Sequence, residues 1–242
     1  MKAVARVVKI GWIFLWAGIM TLILFLPMVV SSLLSRTGNL AFSISKIWAR
    51  VMLLVSATRV SAVGKEKIEK GRSYVIISNH QSQYDILAIV TSLGVQFRWI
   101  IKLEILRVPL FGYALYASRN IFIDRRDSDR ARESIRNGLD RLPPGVSVMF
   151  FAEGTRSPDG RLLSFKKGGF AVALERSYPV LPVTVNGSRR VLPKGSVEFH
   201  PGRIEVVIGD PIETSGYGPE GIGELMERTR DVIESNLDHD LD

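Results

Sequence analysis

No charged residue occurs between Lys9 and Arg36, and this 26-residue run, Ile10 to Ser35, constrains the chain more than any other feature. As a single helix it would extend roughly 39 Å, more than a bilayer's hydrocarbon core of about 30 Å. A helix in the core of a soluble domain rarely runs so long without a charge. A secretory signal would have a shorter apolar region and an A-x-A-like site after it, and none follows. Pro27 interrupts the run where it can kink a helix. After "RTGN", Leu40, Ile44, Ile47, Val51 and Leu54 recur at helical spacing, with Ser43, Lys46 and Arg50 on another face. That pattern predicts an amphipathic helix lying in the membrane interface. Residues 1–60 are thus expected to form a two-helix membrane anchor, and residues 61–242 a separate α/β domain. Both flanks of the first segment are basic, so the positive-inside rule gives no direction. A half-inserted hairpin, which keeps both flanks on one face, is favoured over a single span.

The charge distribution supports this partner. The net charge is +8, but residues 1–60 hold seven basic residues and no acidic one, which leaves +1 for residues 61–242. The positive excess sits in the most apolar part of the chain, which suits an anionic lipid surface and argues against nucleic acid. The absence of cysteine excludes disulfides, thiolate metal sites and a thiol nucleophile.

Beyond residue 60, short apolar runs alternate with helical patterns. "YVIIS" (74–78), "FRWII" (97–101), "IFID" (121–124), "VSVMFF" (146–151), "VLPVTV" (180–185) and "RIEVVIG" (203–209) read as strands. "YDILAIVTSLG", "PLFGYALYAS", "SDRARESIRNGLDRL", "FAVALERS" and residues 219–237 read as helices, Ser128 being a candidate N-cap and Gly94 a stop. "NGS" at 186–188 reads as a turn. The alternation predicts an α/β fold with a largely parallel central sheet flanked by helices. Ligands of such sheets bind beyond the carboxyl ends of the strands.

Three stretches fall at those ends. "SNHQSQYD" follows the first strand and holds His80 and Asp85. On one ideal helix these side chains would lie roughly 140° apart. They meet only if His80 lies in the loop and Asp85 in the first helical turn. A neutral imidazole can then deprotonate a hydroxyl while the carboxylate fixes its tautomer. The competing reading is structural: Ser82 as N-cap with Asp85 at N3, a capping box. A nucleophilic Ser82 is disfavoured, since no G-x-S-x-G elbow is present. "FFAEGTRSPDGRLLSFKKGGF" (150–170) delivers Glu153, Gly154, Thr155 and Arg156 into a loop. Gly154 permits a tight turn, and Arg156 offers a planar fork suited to phosphate. Lys166 and Lys167 precede a helix start, but no Walker loop is present. A solvated charged loop is the alternative. Lys102 and Arg125 close two further strands, either at the same mouth or as plain surface charges.

Taken together these motifs are more specific. "NHQSQYD" matches the N-H-x-x-x-x-D motif of the glycerolipid acyltransferases; "IFIDR", "AEGTRS" and "VLPVTV" resemble the family's second, third and fourth motifs, in the same order. "SFKKGGF" is similar to the segment after the third motif. The resemblance covers about residues 60–210, and is strongest to the bacterial 1-acyl-sn-glycerol-3-phosphate acyltransferases. It implies acyl transfer from acyl-CoA or acyl carrier protein to a lysophospholipid hydroxyl, at the cytoplasmic face of the inner membrane. His80 would be the general base and Asp85 its orienter. Lys102, Arg125 and Arg156 would hold the acceptor phosphate, Glu153, Gly154 and Thr155 would shape the acceptor site, and Pro182 would help form the acyl-donor region. It implies no metal, no cofactor beyond the co-substrate, and no covalent acyl-enzyme. Ala152 stands where the family often has proline, which predicts a looser turn before Glu153, and Arg119 stands where a glycine is common. The developing oxyanion needs donors, for which backbone amides near His80 are the candidates. The same chemistry on another lysophospholipid or a lyso-aminolipid, a hydrolase, and a non-catalytic binder of anionic lipid are the rival functions.

Overall fold

The structure is a computed structural model that describes residues 2–238, 240 and 241, apart from the side chains of Lys2, Ala3 and Ala5. Two long helices, α1 (Lys2–Leu34) and α2 (Asn39–Val55), precede a strand β1 (Thr58–Val63). There follow β2 (Val75–Ser78), α3 (Tyr84–Ser92), β3 (Phe97–Lys102), α4 (Phe111–Ala117), β4 (Ile121–Ile123), α5 (Ser128–Leu139) and β5 (Ser147–Phe151). The chain ends with α6 (Gly168–Arg176), β6 (Val180–Asn186), α7 (Ser188–Val191), β7 (Gly202–Ile208) and α8 (Ile222–Ser235).

The strands form one seven-stranded sheet in the order β1-β7-β6-β2-β5-β3-β4. All pairs are parallel except β6–β7. The sheet is therefore largely parallel, as the alternation predicted. β1 escaped the sequence reading, because Arg59 and Ser61 break its apolar pattern; it crosses the expected boundary at residue 60.

The central strands read as unbroken apolar runs because both faces are covered. Ile76, Met149 and Leu181 face one side with Phe42 and Leu53 of α2 and Ala88 and Ile89 of α3. Val75, Ile77 and Val148 face the other with Ile135 of α5, Phe170 of α6 and Ile233 of α8. Successive residues alternate between the two layers, as a pleated strand requires.

α1 continues through Pro27 without a break in its helical assignment. Among the described residues it is the one helix long and apolar enough to cross a membrane, over Arg6–Leu34. α2 is apolar on two faces. Phe42, Ala49, Met52 and Leu53 are buried, whereas Leu40, Ile47 and Leu54, each seven residues apart, are 49%, 45% and 77% exposed. Arg98 on β3 is fully buried and ties the turn between α1 and α2 to the sheet: it donates to Thr37 O at 2.9 Å and Asn39 Oδ1 at 2.5 Å. Burial pushes its pKa down to about 10, so it remains charged at neutral pH. The cap of α5 differs from expectation. Asp127, one residue before Ser128, accepts the amides of Asp129 and Arg130 at 3.1 and 3.0 Å.

Candidate active site

His80 lies in the β2–α3 loop and Asp85 in the first turn of α3, the arrangement that the angular argument requires. His80 Nδ1 is 2.7 Å from Asp85 Oδ2. The same oxygen accepts the amides of Gln81 at 2.7 Å and Ser82 at 2.9 Å, so the carboxylate is held in place from three sides. The N-cap position of α3 falls on Gln83, one residue after the expected Ser82, yet capping-type bonds form around Ser82. Asp85 closes back on the Ser82 amide, and Ser82 Oγ accepts the Tyr84 amide at 3.2 Å. One carboxylate thus both secures the start of the helix and orients the imidazole. Ser82 Oγ donates to Leu192 O at 2.7 Å, which ties its proton to structure and away from nucleophilic duty.

Glu153 buttresses His80. It is buried, with Oε1 accepting the His80 amide and Oε2 the Leu163 amide, both at 2.9 Å. Burial raises its pKa, against the lowering effect of those two amides and of the imidazole. Ser157 N donates to His80 O at 2.7 Å, a second tie between the β5 loop and the histidine. Beyond the last residue of β2, the Asn79 carboxamide makes a two-point bridge to Val185, at 2.9 and 2.8 Å, and so fixes the loop to β6. These ties correct one expectation. The amides of His80, Gln81 and Ser82 all point into carboxylates, so they cannot serve as oxyanion donors.

Gly154 adopts φ 68°, where a side chain is strained, so the turn needs its glycine. Ala152 does not loosen that turn. Its amide, which proline would lack, donates to Ser78 O at 2.8 Å and extends the β2–β5 ladder. Arg119 has φ 58°, which gives the reason a glycine suits that position.

Of the cationic candidates, Arg125 reaches across to donate to Gly154 O at 2.7 Å, and Arg156 sits one residue from Ser157 in the same loop. Thr155 is exposed beside them. Lys102 closes β3, two strand spacings or about 10 Å from β2. Its amine is 3.3 Å from Glu104, a carboxylate shared with Arg126 at 3.4 Å. Pro182 lies apart, buried inside β6 in register with Ile77; its carbonyl accepts the Gly209 amide at 2.9 Å. Two features escaped the sequence reading. Lys194 donates to Arg156 O at 2.5 Å, bringing a further cation to the arginine loop. The His80 ring stacks on Phe151 with centroids 3.7 Å apart. Phe151 was visible in "FFAEGTRS", but only strand register decides which side chain it meets.

Behind Phe151 stands Trp99, and beside Trp99 lies an apolar cavity of about 90 Å³ between α1, α2 and the sheet layer. Leu24, Met28, Trp48, Leu87 and Phe111 line it. A second cavity of about 230 Å³ shares Trp48, Leu87 and Phe111 and reaches Phe14 on α1.

Fold and site together define a class: an α/β domain that presents a carboxylate-held imidazole at the carboxyl ends of its parallel strands, beside arginines and an apolar cavity. Comparison with known proteins gives the family. The acyltransferase family model matches residues 59–186, from β1 to the end of β6. The chain is 33% identical over 195 residues to the 1-acyl-sn-glycerol-3-phosphate acyltransferase of Pseudomonas aeruginosa, covering 78% of this chain and 75% of that protein. It is 36% identical over 174 residues to a chloroplastic 1-acyl-sn-glycerol-3-phosphate acyltransferase of Arabidopsis thaliana, covering 71% and 48% respectively. The chain spans about half the length of the plant relatives it matches. It also matches the crystal structure of the 1-acyl-sn-glycerophosphate acyltransferase PlsC of Thermotoga maritima, with a TM-score of 0.83 at 26% identity, over 97% of this chain and 95% of that one. The chain belongs to the acyltransferase family.

Proposed function

We propose that the protein transfers an acyl group from acyl-CoA or acyl carrier protein to the sn-2 hydroxyl of 1-acyl-sn-glycerol 3-phosphate, giving phosphatidic acid. The observation that carries this reading is the 2.7 Å His80–Asp85 pair, set among cationic side chains at one mouth of the sheet. Asp85 holds Nδ1 as the protonated nitrogen, which leaves Nε2 to take the proton of the acceptor hydroxyl. The oxygen attacks the thioester carbonyl, the C–S bond breaks, and the leaving thiolate takes the proton back from the imidazolium. Arg125, Arg156 and Lys102 hold the phosphate. Arg125 uses one N–H on Gly154 O and has further donors in the same fork. Glu153, Gly154 and Thr155 shape the acceptor site by fixing the loop. Pro182 contributes to the donor region through the sheet it helps form. The apolar cavities fit acyl chains. The scheme uses no metal and no cofactor beyond the donor.

On this reading residues 1–60 are the anchor and residues 61–242 the catalytic domain, with the half-inserted hairpin preferred over a span. Support comes from how α1 is fastened. Arg6 pairs with Glu198 at 3.0 Å near one end, and the turn at the other end is tied to Arg98. A helix fastened at both ends to one domain lies along it. Such an anchor rests the domain on one leaflet, the cytoplasmic face of the inner membrane.

A panel of lysophospholipids and lyso-aminolipids with radiolabelled acyl-CoA tests the assignment. The expected result is preference for the phosphomonoester acceptor, abolished by His80→Ala with liposome binding retained. Equal use of acceptors lacking the phosphate would remove the roles given to Arg125, Arg156 and Lys102. Activity surviving His80→Ala would leave only lipid binding or a different base, and free fatty acid released without acceptor would indicate a hydrolase.

A further inference from the structure

The hydrogen bond to Asp85 holds His80 at Nδ1. Coupled turns about Cα–Cβ and Cβ–Cγ can still tilt the imidazole while that bond is kept, and tilting carries Nε2 away from the acceptor hydroxyl. A second contact holds the face of the ring. The ring lies flat on Phe151, with centroids 3.7 Å apart and an interplanar angle of 9°. Phe151 is in turn backed by Trp99 at 5.5 Å and 25°, and Trp99 meets Phe97 edge-on at 5.1 Å and 79°. Phe97 is fully buried against Phe42 of α2 at 4.9 Å. A continuous aromatic stack therefore runs from the base to the inner face of the anchor, crossing from β5 to β3.

We propose that Phe151 is a positioning residue for the acyl transfer, holding the imidazole plane so that Nε2 stays directed at the acceptor hydroxyl. The proposal rests on His80 being the general base. Stacking also suits the charge that develops. As His80 takes the proton, the cation forms against the negative face of the Phe151 ring, while Asp85 lies at its Nδ1 edge and Glu153 at its backbone amide. Trp99 and Phe97 keep Phe151 from following the histidine. Phe151 ends its strand, half-buried and packed against the edge of the core, so Phe151→Leu keeps that apolar contact while removing the ring face.

The test compares Phe151→Leu, which keeps apolar bulk but removes the ring face, with Phe151→Tyr, which keeps the face. For Phe151→Leu the expected result is a fall in kcat of about 10- to 100-fold, the scale of a misplaced catalytic group. KM for donor and acceptor should change less than about twofold, since only the base is displaced. Phe151→Tyr should stay close to wild type. A second readout, independent of turnover, is the ¹⁵N NMR signal of His80. In wild type Nδ1–H should be slow to exchange; in Phe151→Leu the Nδ1–H signal should broaden and exchange faster. Unchanged kcat and an unchanged NMR signal in Phe151→Leu would overturn the proposal, as would an equal loss in Phe151→Tyr. If His80→Ala retains activity but Phe151→Leu alters the His80 signal, the base assignment fails and the positioning contact stands.

Discussion

Glu153, read from the sequence as a residue that shapes the acceptor site, fastens the loop that carries His80. Its two oxygens clasp the His80 and Leu163 amides, so it sets where His80 sits. Glu153→Gln turns one of those clasps into donor facing donor. We expect a stability loss of about 1–3 kcal/mol, the cost of a buried unsatisfied group, and a kcat reduced by roughly 10- to 100-fold. Its pH dependence is also set. A carboxyl whose pKa is raised in the folded state contributes stability below the ordinary carboxylate range and loses it as pH rises through the raised value. As pH rises above the ordinary carboxylate range, wild-type Tm should therefore fall relative to that of Glu153→Gln. Parallel Tm profiles would show that burial does not raise this group.

At the scale of elements, α2 has two tasks that one amphipathic pattern cannot describe. The stripe Leu40, Ile47 and Leu54 stays outward, while Phe42, Ala49 and Leu53 complete the core over β2, β5 and β6. Helical periodicity finds the first stripe because Lys46 and Arg50 contrast with it; the second emerges only when the sheet arrives. Arg98 then locks the hairpin through Thr37 and Asn39. Arg98→Met should remove those bonds and lower stability by about 2–3 kcal/mol, or roughly 4–12 °C in Tm for a chain of this size. Limited proteolysis should then cut first near residues 35–39 in the variant.

For the molecule as a whole, the hairpin reading makes a topological prediction that the absence of cysteine makes easy to test. Single substitutions Lys9→Cys and Arg36→Cys place one thiol at each end of the charge-free run. In sealed inverted vesicles, both should react with a membrane-impermeant maleimide from the same side. Reaction from opposite sides would establish a single span. The sequence by itself determined the apolar run, the alternation of strands and helices, and the order of the His80, Arg125 and Arg156 segments. Those are local patterns of burial, period and turn chemistry, written into consecutive residues. It also foresaw that His80 must leave the helix for Asp85 to reach it, since that follows from helical geometry alone. Only the tertiary structure decided the rest. That Phe151 lies under His80, that Glu153 faces back to a histidine 73 residues earlier, and that Arg98 grips the turn between α1 and α2 all depend on strand order and register. Contacts between distant segments are fixed by how the whole sheet assembles, and no short stretch of sequence carries that information.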